Sequence, residues 1–186
     1  KEVLIEIAKC HQKAFPKSIL SYLGINSITK VLEWYLTNER GLIYYLKDSE
    51  DNIQGYFCGI LTFHKNLIGA NSSTFNYAKS IILISYFKKP WLIFHPETIT
   101  KIKNLLNNIF KNFLKLIQKR KMKKLDDDKF IPFAGLVIIG VKEKGLGYGS
   151  LLLKEFENIS RKIPMIKILK LSVKPENKSA IKAYIN

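Results

Sequence analysis

Apolar and polar positions change rhythm several times along this chain, and each change marks an element. Residues 2 to 14 carry apolar side chains at helical spacing (Val3, Ile7, Ala8, Ala14), which predicts a helix. "FPKS" ends it, because Pro16 disfavours a helical Phe15. Ser18 can cap a second helical run, "ILSYLGINSITKVLEWYL". Two β-rich runs follow, 42–46 and 53–63, around the polar turn "DSEDN", the pattern of a hairpin.

Residues 66–130 read as mostly helical. "SSTFNYAKSIILISYF" is one candidate helix and "PETITKIKNLLNNIFKNFLKLIQK" a second. The second places Ile102, Leu105, Leu106, Ile109, Phe110, Phe113, Leu114 and Ile117 on one face, with its lysines off that stripe. "KRKMKKLDDDKF" reads as a charged surface loop. A buried-type strand is expected at about 134–141, a helix at about 147–162, a second strand in "MIKILKLSV", and a short helix in "NKSAIKAYI" after Pro175. The order is helix, helix, hairpin, helical section, strand, helix, strand, helix. It predicts a mixed α/β domain, an α+β arrangement around one central sheet. No internal repeat or low-complexity linker interrupts it.

The 186 residues suit a single domain, and an apolar content of 47% excludes a disordered chain. No run of about 18 uncharged apolar residues predicts a membrane span. Cys10 and Cys58 stand in unrelated segments, neither a disulfide framework nor a metal pattern, so no metal is expected. With no secretory signal at the N-terminus, a reduced cytoplasmic setting is expected. The net charge of +16 suggests a nucleic-acid or membrane partner. The cations, however, are lysines apart from Arg40, Arg120 and Arg161, and base-reading proteins favour the arginine fork. No specific nucleic acid is therefore expected, and the charge reads as solvated lysine spread over the surface.

The chemistry concentrates in "KEKGLGYGSLLLKEFE", residues 142 to 157. Gly145, Gly147 and Gly149 sit between the expected strand and helix. A Walker loop needs a Lys–Ser/Thr pair and wider spacing, and a dinucleotide fingerprint needs G-x-G-x-x-G with an acid about 20 residues on. Neither is met. Alternating glycines can instead turn successive N–H groups toward one point, and the helix behind adds its free N–H groups and positive end. That arrangement suits a pyrophosphate with Lys144 at the mouth. On the glycines alone, a loose strand-to-helix turn fits equally.

Farther on, "LSVKPENKSAIKAYI" supplies a second motif. Together the two stretches resemble the GNAT superfamily of acetyl-coenzyme A dependent N-acetyltransferases. Its central motif, [Q/R]-x-x-G-x-[G/A], is matched by Lys144, Gly147 and Gly149 except at the first position. Its later motif, L-x-V-x-x-x-N-x-x-A-x-x-x-Y, is met by Leu171, Val173, Asn177, Ala180 and Tyr184. The resemblance covers residues 134–186 firmly and the first half of the chain more loosely.

The resemblance implies a central sheet whose fourth and fifth strands splay, flanked by helices, with 66–130 as a helical insertion. It further implies an expected strand before Lys1 and a Gly-Phe pair after Tyr184, so both termini are expected to be incomplete. Acetyl-coenzyme A is the implied co-substrate. Its pantetheine arm would pair with main-chain groups of Ile139, Gly140 and Val141. Its pyrophosphate would lie on Lys144, Gly145, Leu146, Gly147, Tyr148, Gly149 and Ser150. Asn177 would bond the arm, or cap its helix, or both. Tyr184 would be the general acid for the departing thiolate, or else a packing tyrosine. Candidate bases are His11, His64, His95, Glu33 and Glu143, with nothing in the sequence to choose among them.

The acceptor wall falls on "CHQKAFPKSILSYLG", with Phe15, Pro16, Ser18 and Leu23. Its H-x-x-x-F-P-x-S pattern is similar to bacterial GNAT proteins tied to sugar or cell-envelope chemistry, and a packing turn between helices fits it as well. The expected activity is acetyl transfer to an amine of a small molecule or amino sugar. The alternatives are a protein or peptide acetyltransferase, and a non-enzymatic basic module on nucleic acid or an anionic membrane. A homodimer through the apolar helical faces is an open alternative.

Overall fold

The computed structural model describes residues 1–65, 67, 69–103, 107, 130–173 and 181. Helix α1 spans Glu2–Ala14, α2 Ile19–Leu23 and α3 Ile25–Thr37. Strands β1 (Gly41–Lys47) and β2 (Ile53–Thr62) form the expected hairpin. Helix α4 (Ala70–Lys88) and a 3-10 helix (Pro90–Phe94) follow, and residues 96–103 begin helix α5. Strand β3 (Phe133–Val141), helix α6 (Tyr148–Arg161) and strand β4 (Ile168–Lys170) complete the described order. Among the described residues this is a mixed α/β fold, six helices around an open four-strand sheet of order β1-β2-β3-β4. None of the described helices is long and apolar enough to cross a membrane.

The sheet is layered because β2 is apolar on both sides. Its sequence "IQGYFCGILT" turns Tyr56, Cys58 and Ile60 into a core built with α1, α3 and α4. Phe57 and Leu61 enter a second core under α6. Helices α1 and α3 cross one face of the sheet and α6 the other. The Phe57 and Phe156 rings meet edge to face at 5.4 Å, a favoured aromatic geometry. Gly59 makes that approach feasible, since a Cβ there would lie 2.9 Å from the Phe156 ring.

Several expectations change. The run from Ile19 to Leu36 is two helices, because Gly24 takes φ 98° and ends α2 before α3 begins. In α1 the buried stripe is Leu4, Ile7, Ala8, Cys10 and His11, and Val3 points to solvent. Helix α4 buries Ala70, Thr74, Ala78 and Ile82, leaving larger apolar residues outside, so its apolar face is not the one that packs. The strand expected across "MIKILKLSV" contracts to three residues, because only Ile168–Lys170 find partners in β3. The apolar stripe from Leu105 to Ile117, the loop "KRKMKKLDDDK", and the helix carrying Asn177 and Tyr184 lie outside the described residues, except that Ile181 is helical.

Phe156→Ala should cost about 3–5 kcal/mol of stability in denaturant unfolding, since it empties a fully buried site. Gly59→Ala should be costly in the native chain and nearly neutral beside Phe156→Ala, a coupling on the order of 1 kcal/mol. Equal costs in both backgrounds would mean the close approach carries no strain.

Candidate functional site

The site begins where two strands part. Strand β3 pairs with β2 from Phe133 to Val141 except at Val137, but with β4 only at Phe133, Ala134 and Gly135. Beyond Gly135, no described strand lies on that edge. Lys142 N donates to Gln54 O at 2.8 Å, which makes Val141 and Gly55 a non-hydrogen-bonded pair. Alternation then turns the N–H and C=O groups of Val141 and Ile139 away from β2, toward the side β4 has left. Gly140 faces β2 with its own backbone groups and packs against Phe15, Tyr56 and Ala14.

A bulge sharpens the split. Cys58 pairs with Ile138 and Gly59 with Leu136, so Val137 is an extra, unpaired residue. Here an open hollow of about 310 Å³ is lined by Leu136 and Val137, by Ser172 just past β4, and by Gly69, Ala70, Asn71 and Ser72 at the start of α4. Among the described residues its side-chain polar groups are the Ser72 and Ser172 hydroxyls and the Asn71 amide.

The glycine row stands at the other end of the same edge. Gly145 (φ 89°) and Gly147 (φ 79°) are left-handed, and Gly147 is the N-cap of α6. A glycine cap offers no side chain to the first-turn N–H groups, and that turn holds no acidic residue. Residues 143–147 are exposed, with Lys144 among them. Gly149 is the informative one. Its φ is not left-handed and a Cβ on it would meet no described atom within 4 Å. A glycine inside a helix costs about 1 kcal/mol relative to alanine, and the described fold gives no steric reason to keep one here. What the glycine leaves is open space over uncapped N–H groups, which is what an anion needs.

The acceptor residues expected on the first two helices are spread among other duties. Phe15 is half-buried against the His11 ring at 5.0 Å. Ser18 Oγ accepts from Ser21 N at 3.2 Å and donates to Ser21 Oγ at 3.0 Å, capping α2. Leu23 is in the core and Pro16 is exposed. None of the four lines the hollow.

The candidate bases also separate. Glu33 pairs with Lys30 at 2.6 Å, His64 and Glu143 are exposed, and His95 Nδ1 accepts from Glu97 N at 3.3 Å. His11 is different, being buried beside Tyr56, with its Nδ1 hydrogen-bonded to the phenol and its Nε2 without a partner among the described residues. Burial holds the Tyr56 phenol protonated, far above its ordinary range. If the phenol donates to Nδ1, one polar atom is left over; the reverse leaves two. The favoured tautomer therefore carries its proton on Nε2. Burial also pushes the imidazole down to about 4, against a smaller upward pull from Glu97. The thiols are core groups: burial raises Cys10 to about 11 and Cys58 well above its ordinary value.

Sequence reading missed the hollow, the bulge and the Tyr56 partner of His11. The bulge leaves no signal in "FAGLVIIGV", where every position is apolar or glycine. Ser172 lay inside a recognised motif, but at one of its variable positions.

Neutral His11 is the buried form, so the unfolded chain, with the ring near 6.5, takes up its proton first on acidification. Stability from this group is complete above about pH 6.5 and falls as the pH drops toward 4, by on the order of 3 kcal/mol at pH 4. His11→Asn should flatten that part of the unfolding profile. An unchanged slope would show that the ring is not buried neutral.

Compared with known protein families, curated proteins and solved structures, the chain has no significant match.

Proposed function

We propose that the protein is an acetyltransferase that moves an acetyl group from acetyl-coenzyme A to an amine of a small molecule. One observation carries the reading: a strand edge that, among the described residues, loses its neighbour after Gly135 leads to a glycine-turned helix start with no side-chain cap. An elongated ligand with amides along its arm and a diphosphate at its end matches both halves. The amides would pair with Ile139 and Val141 as an added strand does, and the diphosphate would sit on the N–H groups of residues 147–150 beside Lys144. The resemblance of Lys144, Gly147 and Gly149, and of Leu171 and Val173, to the GNAT motifs supports the same ligand.

The acetyl end of such an arm would lie near the bulge, beside the hollow of about 310 Å³. That volume is at the small end of ligand pockets. It supports a small acceptor over a peptide, and the part of the hollow contributed by α4 comes from the helical insertion. Direct transfer asks the amine nitrogen to attack the thioester carbon, the thiolate to leave, and the amine proton to depart. Tyr184 remains the proposed donor to that thiolate. The amide of Asn71 and the hydroxyls of Ser72 and Ser172 would orient a polar acceptor by hydrogen bonds.

Gly149→Asp separates the coenzyme grip from the fold. A carboxylate in the first turn favours a helix, so stability should hold or rise by about 0.5–1 kcal/mol. Acetyl-coenzyme A affinity, read by calorimetry, should drop at least about tenfold, since the carboxylate takes the anion's place. Normal binding by this variant would put the grip elsewhere, and no binding by the native chain would end the reading.

Ser172→Trp should fill the hollow. In amine acetylation assays KM for the amine should rise at least about tenfold, roughly 1.4 kcal/mol of lost contact, with coenzyme affinity kept. Unchanged kinetics would move the acceptor out of the hollow.

A further inference from the structure

The C-terminal half of α4 and the 3-10 helix behind it carry a second surface. Leu83, Ile84 and Phe87 fall within about 100° of one another around α4 and all three are exposed. Trp91 and Phe94 follow at the three-residue spacing that aligns side chains on a 3-10 helix. Phe87 is 85% exposed, Trp91 62% and Phe94 78%, in one short stretch of sequence. Solvated single apolar residues are ordinary; this many large ones together are not.

The exposed charges among the described residues of this segment, 69–103, have one sign. Lys79, Lys88, Lys101 and Lys103 are exposed, and Lys89 donates to Tyr22 O at 2.7 Å. The only carboxylate in residues 69–103 is Glu97, half-buried, whose Oε2 accepts from Ile19 N at 3.2 Å and so is turned inward. Exposed aromatic and aliphatic residues with exposed lysines in the same segment match the layered chemistry of a bilayer surface, acyl chains beneath anionic headgroups.

We propose that this face docks the protein peripherally onto an anionic lipid membrane. Two other occupants fit worse. Face-to-face pairing of two copies would bring the same lysines together in a chain that already carries +16. A nucleic acid would use the lysines and could stack on Trp91, but it has no use for Leu83, Ile84 and Ile93. The proposal is independent of the acetyltransferase reading and survives or fails without it.

The test is co-sedimentation of the full chain with vesicles of about one part phosphatidylglycerol to two parts phosphatidylcholine, against phosphatidylcholine alone. Binding is expected to the anionic vesicles only, weakening as salt rises. Trp91 emission, taken by difference from Trp91→Phe, should shift to the blue on binding. Phe87→Ser with Trp91→Ser keeps the charge and should weaken binding at least about tenfold. Lys88→Gln should weaken it about fivefold, as expected for one lysine near the surface. All three positions are exposed, and circular dichroism checks that each variant is folded. Four results would overturn the proposal: no binding to the anionic vesicles at low salt; a native chain whose Trp91 resists acrylamide quenching, showing the face already covered; a dimer that the Phe87/Trp91 double variant dissociates; or tighter, salt-sensitive binding to single-stranded DNA that the vesicles do not compete away.

Discussion

The pairing of β2 with β3 is the constraint on which everything else here rests. β2 is buried from both sides, so its register is strongly specified: a slip by one residue would send Tyr56 and Cys58 under α6 and Phe57 toward α1. Fixing β2 fixes β3 through eight paired positions. Fixing β3 then sets both ends of the candidate site, the bulge at Val137 and the backbone direction at Ile139 and Val141. Helix α6 is held to the same strand pair through Leu152 and Phe156, which places its uncapped start beside the free edge. The site's geometry is therefore inherited from a core contact on the far side of the strand.

The contrast between β4 and β2 explains why the edge stays open. β4 pairs over three residues in parallel, with exposed Ile168 and Lys170 and only Leu169 turned into the core. A strand so lightly anchored adds little to the core and can diverge at little cost. The divergence borders the hollow, and among the described residues it leaves N–H and C=O groups on β3 without a strand partner. An edge of that kind is a liability unless a ligand or a covering segment uses it.

How much of this was legible in the sequence follows from the range of the forces involved. The hairpin, β3 and α6 announce themselves through local patterning and glycine placement, and their observed limits lie within a residue or two of those expected. The break at Gly24 was legible in principle, since a glycine in mid-helix is a known stop, but the apolar rhythm on both sides concealed it. The bulge, the shortness of β4 and the His11–Tyr56 pair depend on residues 45 positions apart or on which strands meet, and composition does not encode those contacts locally. Helix α4 misleads for a different reason. Its small residues, Ala70, Thr74 and Ala78, are the ones buried because α3 approaches closely, with Ser27 Oγ and Ser85 Oγ 2.9 Å apart, so the bulky apolar side chains are turned outward.

That inversion makes α4 the link between the molecule's two surfaces. Its first residues line the hollow and its last carry the exposed aromatic face, some 28 Å apart at helical rise. The helix is pinned to α3 along the way by the Ser27–Ser85 bond and by Lys30 over the Tyr77 ring at 4.5 Å. The 19-residue helix has no proline or glycine inside it to seat a kink. Whatever engages its C-terminal end is therefore mechanically continuous with the wall of the hollow formed by Asn71 and Ser72. A surface bound at Phe87 and Trp91 would fix the orientation of the hollow relative to that surface, without any need for the sheet or the glycine turn to change shape.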